Sequence, residues 1–289
     1  MSVPAGGFRL AAIDIDDTLV GHDARIGAEN RHAVRALVGS GVRVVLASGR
    51  SHANMLRFHH ELALGDGPVI SAQGAMVRDV ESGQFWHRDT APEAAVERAT
   101  VEGFQRGLTV QHYRGDGIYI QARTEWNDYD QSRNATPHVL VPSLEETGWD
   151  GVFKVIWLGD PDEIAARAPE VRARYAGELA VVETDPGYLE LTPPHANKAV
   201  ALQVVADRLG IGREQVLAFG DGNNDVGMLS WAGLGIAMSH GRASAREAAD
   251  LVSPGGDAES ALARAIALVL AAAGGAEERE VVGAGAGVG

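Results

Sequence analysis

Two short apolar runs flanking a single helical stretch constrain this chain more than anything else in it. Residues 8–14 are too short for a helix and read as a buried strand. Residues 29–38 have amphipathic spacing and run into Gly39-Ser40-Gly41, a helix followed by its stop signal. Residues 42–47 form a second, β-branched run ending at Ser48-Gly49-Arg50. A helix between two strands makes them parallel, joined by a right-handed crossover. The expected class is therefore α/β, a Rossmann-like core around a parallel sheet.

The same texture recurs late in the chain. Residues 198–209 read as a helix, 216–219 as a strand, 226–231 as a helix, 235–238 as a strand and 243–249 as a helix. An edge strand at 250–252 and a helix at 258–273 close the pattern. Between the two α/β stretches the chain changes character. Strands with partial alternation are expected at 85–88, 109–113, 118–121, 153–158 and 179–183, separated by helices at 92–106 and 161–175. Pro169 is expected to kink or end the second helix. Four of the five tryptophans fall in this block. The expectation is a discontinuous core of 1–79 and 191–273, an inserted α+β domain at 80–190, and a disordered Gly-rich tail at 274–289.

Composition narrows the function classes. A net charge of −14 excludes an extended nucleic-acid surface, which demands clustered cations. No apolar run approaches the length of a membrane span, and with no export signal the expected location is the cytoplasm, as a monomer or homodimer. There are no cysteines, so thiolate chemistry is excluded. Basic residues are arginine almost everywhere; the two lysines, Lys154 and Lys198, gain interest from that bias.

Three polar clusters each follow an expected core strand: Asp14/Asp16/Thr18, Ser48/Gly49/Arg50 and Asp221/Asn224/Asp225. In an open parallel sheet, ligands bind outside the carboxyl ends of the strands, so the three clusters can converge. Asp14 and Asp16 are one residue apart and can emerge together where the first strand ends. Two adjacent carboxylates repel unless a cation or a proton separates them, which points to a hard metal, a raised pKa, or both.

These clusters resemble the signatures of the haloacid dehalogenase (HAD) superfamily. Asp14-Ile15-Asp16-Asp17-Thr18-Leu19 is similar to its first motif and Leu46-Ala47-Ser48-Gly49-Arg50 to its second. Lys198 stands for the third, and Gly220-Asp221-Gly222-Asn223-Asn224-Asp225 for the fourth. Gly235-Ile236-Ala237-Met238-Ser239 is similar to the Cof-like branch. Only 34 residues separate Asp14 from Ser48, whereas 150 separate Ser48 from Lys198. The resemblance therefore places an α+β C2B cap in the second gap, as in subtype IIB.

What the resemblance implies is a phosphatase acting on a small phosphorylated metabolite, such as a sugar phosphate, with Mg2+. It assigns Asp14 as the nucleophile that takes up phosphorus, and Asp16 as the acid and base, its pKa raised by its neighbour and by partial burial. Mg2+ would be held by Asp14, the Asp16 carbonyl and Asp221. Ser48, Gly49 and Lys198 would meet the transferring oxygens.

Other readings stay open beside these. Thr18 can cap its turn or touch phosphate, and Arg50 can pair structurally or bind substrate. Asn224 and Asp225 can form a helix N-cap; alternatively Asn224 binds phosphate while Asp225 supports the metal from behind, bonded to a metal water or to Lys198. Asp17 stands where the family has Gly and is expected to face solvent. Specificity is expected in the middle domain, with His112, Tyr113, Arg114, Tyr119, Trp126, Lys154 and Glu190 as candidates. A phosphotransferase or mutase, or a silent phosphate-binding protein, are the alternatives on the same fold. A calcium loop of the EF-hand type fails, because Leu19 and Arg25 stand where it requires Gly and Glu.

Overall fold

The computed structural model describes residues 3–21, 23–115, 117–134 and 136–285. In chain order the elements begin with β1 Leu10–Asp14, α1 Ala28–Gly39, β2 Arg43–Ala47, α2 His52–Leu62, β3 Pro68–Ser71, β4 Met76–Asp79 and β5 Phe85–Arg88. They continue with α3 Glu93–Gln105, β6 Thr109–Arg114, β7 Gly117–Ile120, α4 Glu125–Asn134 and β8 His138–Leu140. Next come β9 Val152–Leu158, α5 Pro161–Arg174, β10 Ala180–Asp185 and β11 Tyr188–Thr192. The chain finishes with α6 Lys198–Leu209, β12 Val216–Gly220, α7 Val226–Trp231, β13 Leu234–Ala237, α8 Ala243–Ala248, β14 Leu251–Val252 and α9 Ala261–Gly285.

The chain divides into two compact units. The first takes the described residues of Met1–Ser48, Phe58–Pro68 and Lys198–Gly289, the second Gly49–Arg57 and Val69–Asn197. The second thus includes, beyond the middle block, the turn after Ser48 and residues 69–79 and 191–197.

In the first unit the strands lie in the order β14-β13-β12-β1-β2. Every pairing among them is parallel. β1 and β12 are buried along their whole length, which is why both read as uninterrupted apolar runs rather than alternating ones. The register sets the three clusters level. Asp14 pairs with Ala47, one residue before Ser48, and Ile13 with Phe219, two residues before Asp221.

In the second unit a six-stranded sheet runs β10-β11-β9-β6-β7-β8. Its pairings are antiparallel except β7 with β8. Buried Val110, Val155, Trp157, Leu189 and Leu191 pack with Val96 and Ala99 of α3 and with Ile164 and Val171 of α5. Pro169 lies inside α5 and does not end it; the helix continues to Arg174. Val171, two residues beyond the proline, is fully buried, and that packing holds the last turn in place.

α9 carries on to Gly285, through part of the stretch where composition pointed to disorder. Its Ala-Glu-Glu-Arg-Glu segment consists of good helix formers. Residues 286–289 of the expected tail lie outside the described residues. None of the described helices is long and apolar enough to cross a membrane.

Candidate active site

The site grows from the end of β1. After Asp14 the strand stops, and the amides of Thr18, Leu19 and Val20 all turn back to the carbonyl of Ile15. This tight loop separates the two acids of the first motif. Asp14 is 4% exposed. Asp16 is exposed, not partly buried as expected, because the strand has already ended and the turn carries it outward. Asp17 sits half-buried in a left-handed conformation, φ 57°. Gly adopts that conformation freely and Asp tolerates it better than most side chains, which accounts for the exchange at this position.

Lys198 opens α6, and a cation at a helix N-terminus opposes the helix dipole. Its position serves the acids instead. Its Nζ donates to Asp14 Oδ1 and, at 2.6 Å, to Asp225 Oδ1. Burial alone would lower the lysine pKa, but the charges of Asp14 and Asp225 outweigh it and raise the value. The ammonium therefore stays charged.

Asp225 stands at the N-cap of α7 without capping it. Its Oδ2 accepts from the amides of Asp221 and Gly222, at 3.0 and 2.9 Å. Its Oδ1 is taken by Lys198, and through the Gly222 amide its Oδ2 also closes a capping box on the short helical turn 223–225 ahead of α7. Gly220 makes this packing possible, since a Cβ there would come within 2.6 Å of Asp225 Cβ. Thr18 donates its hydroxyl to Asp221 Oδ1 at 2.8 Å, a role neither expected reading named.

Asp14, Asp221 and Asp225 each place one carboxylate oxygen within 4.8 Å of the others. Burial first, and then the charge of Asp225, push the Asp14 carboxyl well above the usual range, with Lys198 pulling against them. Burial and Asp225 likewise push Asp221 up to about 6. Three acids facing one ammonium leave an excess of negative charge in a mostly buried place. With both oxygens of Asp225 occupied, Asp14 and Asp221 are the acids with an oxygen to offer. That hard-oxygen donor set suits a divalent cation such as Mg2+.

Ser48 is buried, one residue past the end of β2 and next to Asp14 by register. Asn224 is exposed, its side-chain oxygen lying close over Gly222. Gly49 and Arg50 belong to the second unit, where Arg50 Nη1 donates to Asn54 Oδ1 at 2.8 Å, a structural partner on α2.

Among the expected specificity residues, His112 and Arg114 have structural partners. His112 is fully buried against the Thr100 hydroxyl at 2.7 Å, and burial, with Arg114 nearby, lowers its pKa to about 3. Arg114 donates to the carbonyls of Thr147 and Gly148. Trp126 packs beside Tyr113, Ile156 and Tyr188.

Asn30 escaped the sequence reading. Its Nδ2 donates to the Leu19 and Ala258 carbonyls at 3.1 and 2.9 Å, and its Oδ1 accepts from the amide of Ala263. It therefore ties the loop after β1 to the start of α9. The available signal was a polar residue on the stripe of α1 that buries Val34 and Leu37.

The sequence profile of the haloacid dehalogenase-like hydrolases matches residues 11–266. A putative phosphatase of Streptococcus pyogenes serotype M6 is 27% identical over 272 residues, 90% of this chain and 97% of that protein. An HMP-PP phosphatase of Yersinia pseudotuberculosis is 28% identical over 236 residues, 81% of this chain and 84% of that one. A solved haloacid dehalogenase-like hydrolase from Bacteroides thetaiotaomicron superposes with a TM-score of 0.83 at 26% identity, covering 91% of this chain and 99% of that one. With a profile match across most of its length, this chain belongs to the haloacid dehalogenase-like hydrolases.

Proposed function

We propose that this protein is a Mg2+-dependent phosphatase that hydrolyses a small phosphorylated metabolite through an aspartyl-phosphate on Asp14. The observation that carries the reading is the group of buried Asp14, Lys198 and Asp225 with half-buried Asp221, brought together from distant parts of the chain. The phosphatase names of the relatives support it. Asp14 and Asp221 would hold the cation, which when bound offsets the negative charge gathered between the carboxylates and the phosphate.

A carboxylate of Asp14 attacks phosphorus, and the bond to the leaving alkoxide breaks as Asp16 supplies its proton. Asp16 then takes a proton from water, which attacks the same phosphorus, and the Asp14 carboxylate is released with inorganic phosphate. Exposure suits Asp16 to this exchange, since both leaving group and water reach it from solvent. Lys198 keeps Asp14 aimed and balances charge, with Asp225 fixing the lysine and the loop that carries Asp221. Ser48 and Gly49 bind the phosphoryl oxygens. The second unit, read as the C2B cap, would set substrate choice, and the cytoplasm is the location this chemistry suits.

A panel of phosphorylated metabolites, including HMP-PP, sugar phosphates and nucleotides, tests the reading by colorimetric phosphate release with Mg2+ and with EDTA. Release from at least one ester, abolished by chelation and restored by Mg2+, is the expected result. Release unaffected by thorough chelation contradicts it.

A further inference from the structure

Both lysines of this arginine-rich chain are buried. Lys198 is accounted for by the acids around it, but Lys154 lies outside that group and is 2% exposed. An ammonium taken out of water is destabilising unless charge and hydrogen bonds answer it. Within the second unit, Lys154 Nζ donates to Glu190 Oε1 at 2.8 Å and to the carbonyl of Gly49 at 3.0 Å. It also stands 4.4 Å from the centre of the Tyr113 ring, where cation–π attraction adds to the hold. Lys154 and Glu190 come from adjacent strands, β9 and β11, with Glu190 opposite Ile156. Both ends of the ion pair are therefore fixed in the sheet.

Gly49 follows Ser48 in the chain, and other contacts grip the same turn. The Ala72 amide donates to the Arg50 carbonyl at 3.0 Å. The Gln73 amide crowds Gly49 so closely that a Cβ there would lie 2.3 Å from Nε2. Ala72 and Gln73 both have positive φ, 50° and 60°. Such backbone is strained for a non-glycine residue and persists only where its surroundings impose it. The fold thus stores strain to immobilise a turn whose own glycine leaves it unrestrained.

We propose that Lys154 is a positioning residue for the Ser48-Gly49-Arg50 turn: anchored by Glu190, its ammonium pins the Gly49 carbonyl and so fixes the Gly49–Arg50 peptide plane, one residue beyond Ser48. This rests on the phosphatase reading, in which Ser48 and Gly49 meet the phosphoryl oxygens. Lysine fits where arginine does not, because one point charge answers one carbonyl, one carboxylate oxygen and one ring face. A planar guanidinium presents a wider fork.

Removing Lys154 alone leaves Glu190 as an uncompensated buried charge, so the informative variant is Lys154→Met/Glu190→Leu. Replacing a buried ion pair by apolar side chains is often neutral for stability. The measurements are thermal melting, Mg2+-dependent hydrolysis of p-nitrophenyl phosphate, and inhibition by inorganic phosphate. The double variant is expected to melt close to wild type, while kcat falls and the phosphate inhibition constant rises, each roughly tenfold or more. Wild-type kcat and phosphate inhibition in a variant that melts normally would overturn the inference.

Should the double variant not fold, Lys154→Arg keeps the charge. The same losses are expected of it, and full activity there overturns the proposal equally. A wild-type protein that neither hydrolyses this ester nor is protected from melting by inorganic phosphate refutes the phosphatase reading itself, and the inference with it. That outcome is distinct from an active wild type with an unaffected variant.

Discussion

The Thr18 hydroxyl donates to Asp221 at 2.8 Å although 203 residues separate the two in sequence. The bond joins the loop after β1 to the loop after β12 and leaves the second Asp221 oxygen for a cation. Thr18→Val keeps the shape and removes the donor. A hydrogen bond to a charged group contributes about 1.5–3 kcal/mol. The expected result is a roughly tenfold or greater rise in the Mg2+ concentration needed for half-maximal activity, with Thr18→Ser near wild type. A Mg2+ titration of phosphate release checks it.

Asp221 sets an acid limit on metal use. Its carboxyl, pushed up to about 6, starts from an ordinary value of 3.8. A raised carboxyl pKa means the folded state holds this proton more tightly than the unfolded chain does. In chelated protein, the stability contributed by this group is complete below about pH 4 and is lost as pH rises through about 6. The melting temperature of wild type relative to Asp221→Asn should therefore fall across that window. Because proton and cation compete for the same oxygens, activity at limiting Mg2+ should drop below about pH 6, and added Mg2+ should move the drop to lower pH. Paired melting curves and pH–rate profiles at two Mg2+ concentrations test both signs.

Lys198 offsets two buried carboxylates, so its loss damages fold and function together. Breaking a buried pair from one side costs about 3–5 kcal/mol. Lys198→Met should melt well below wild type and lose at least a hundredfold in kcat. Mg2+ should restore part of the melting temperature without restoring turnover, because the cation relieves the charge but not the aim of Asp14. Calorimetry and steady-state rates separate the two effects.

Gly220→Ala tests the packing behind the acids. The added Cβ would meet Asp225 Cβ and Cγ at 2.6 Å, and those atoms are held between Lys198 and two backbone amides. A methyl group forced into a packed place costs about 1–3 kcal/mol. Lower stability together with a lower kcat is expected. A stable variant with full kcat would show that Asp225 has slack this geometry does not allow.

The acidic rim was legible because its strands are buried on both faces over the residues that lead up to it. Residues 8–14, 42–47 and 216–219 therefore read as plain apolar runs, each ending at a polar cluster. Parallel pairing then leaves little choice but to bring those clusters to one edge. What stayed hidden depends on inverted patterns or on partners far apart in sequence. α4 was missed because it buries Asn127 and Asp130, the one bonded to Gln111 and the other to His138, so its inner face has no apolar period. β11 was missed because Glu190 interrupts its apolar run with a charge that only Lys154 explains. Thr18 was read as a local cap or a ligand, since nothing nearby in sequence announces Asp221 as its acceptor. The acid–base role that the resemblance assigns to Asp16 favours partial burial, which the turn after β1 does not give it.

The central claim is that Asp14 takes up phosphorus and Asp16 is needed to release it. It is tested most directly by intact-protein and peptide mass spectrometry of Asp16→Asn, quenched in acid after mixing with Mg2+ and a hydrolysed ester. The account predicts one added phosphoryl group per chain, mapped to the peptide carrying Asp14 and absent from Asp14→Asn/Asp16→Asn. An unmodified Asp14 peptide in an Asp16→Asn variant that still turns over at the wild-type rate would contradict it.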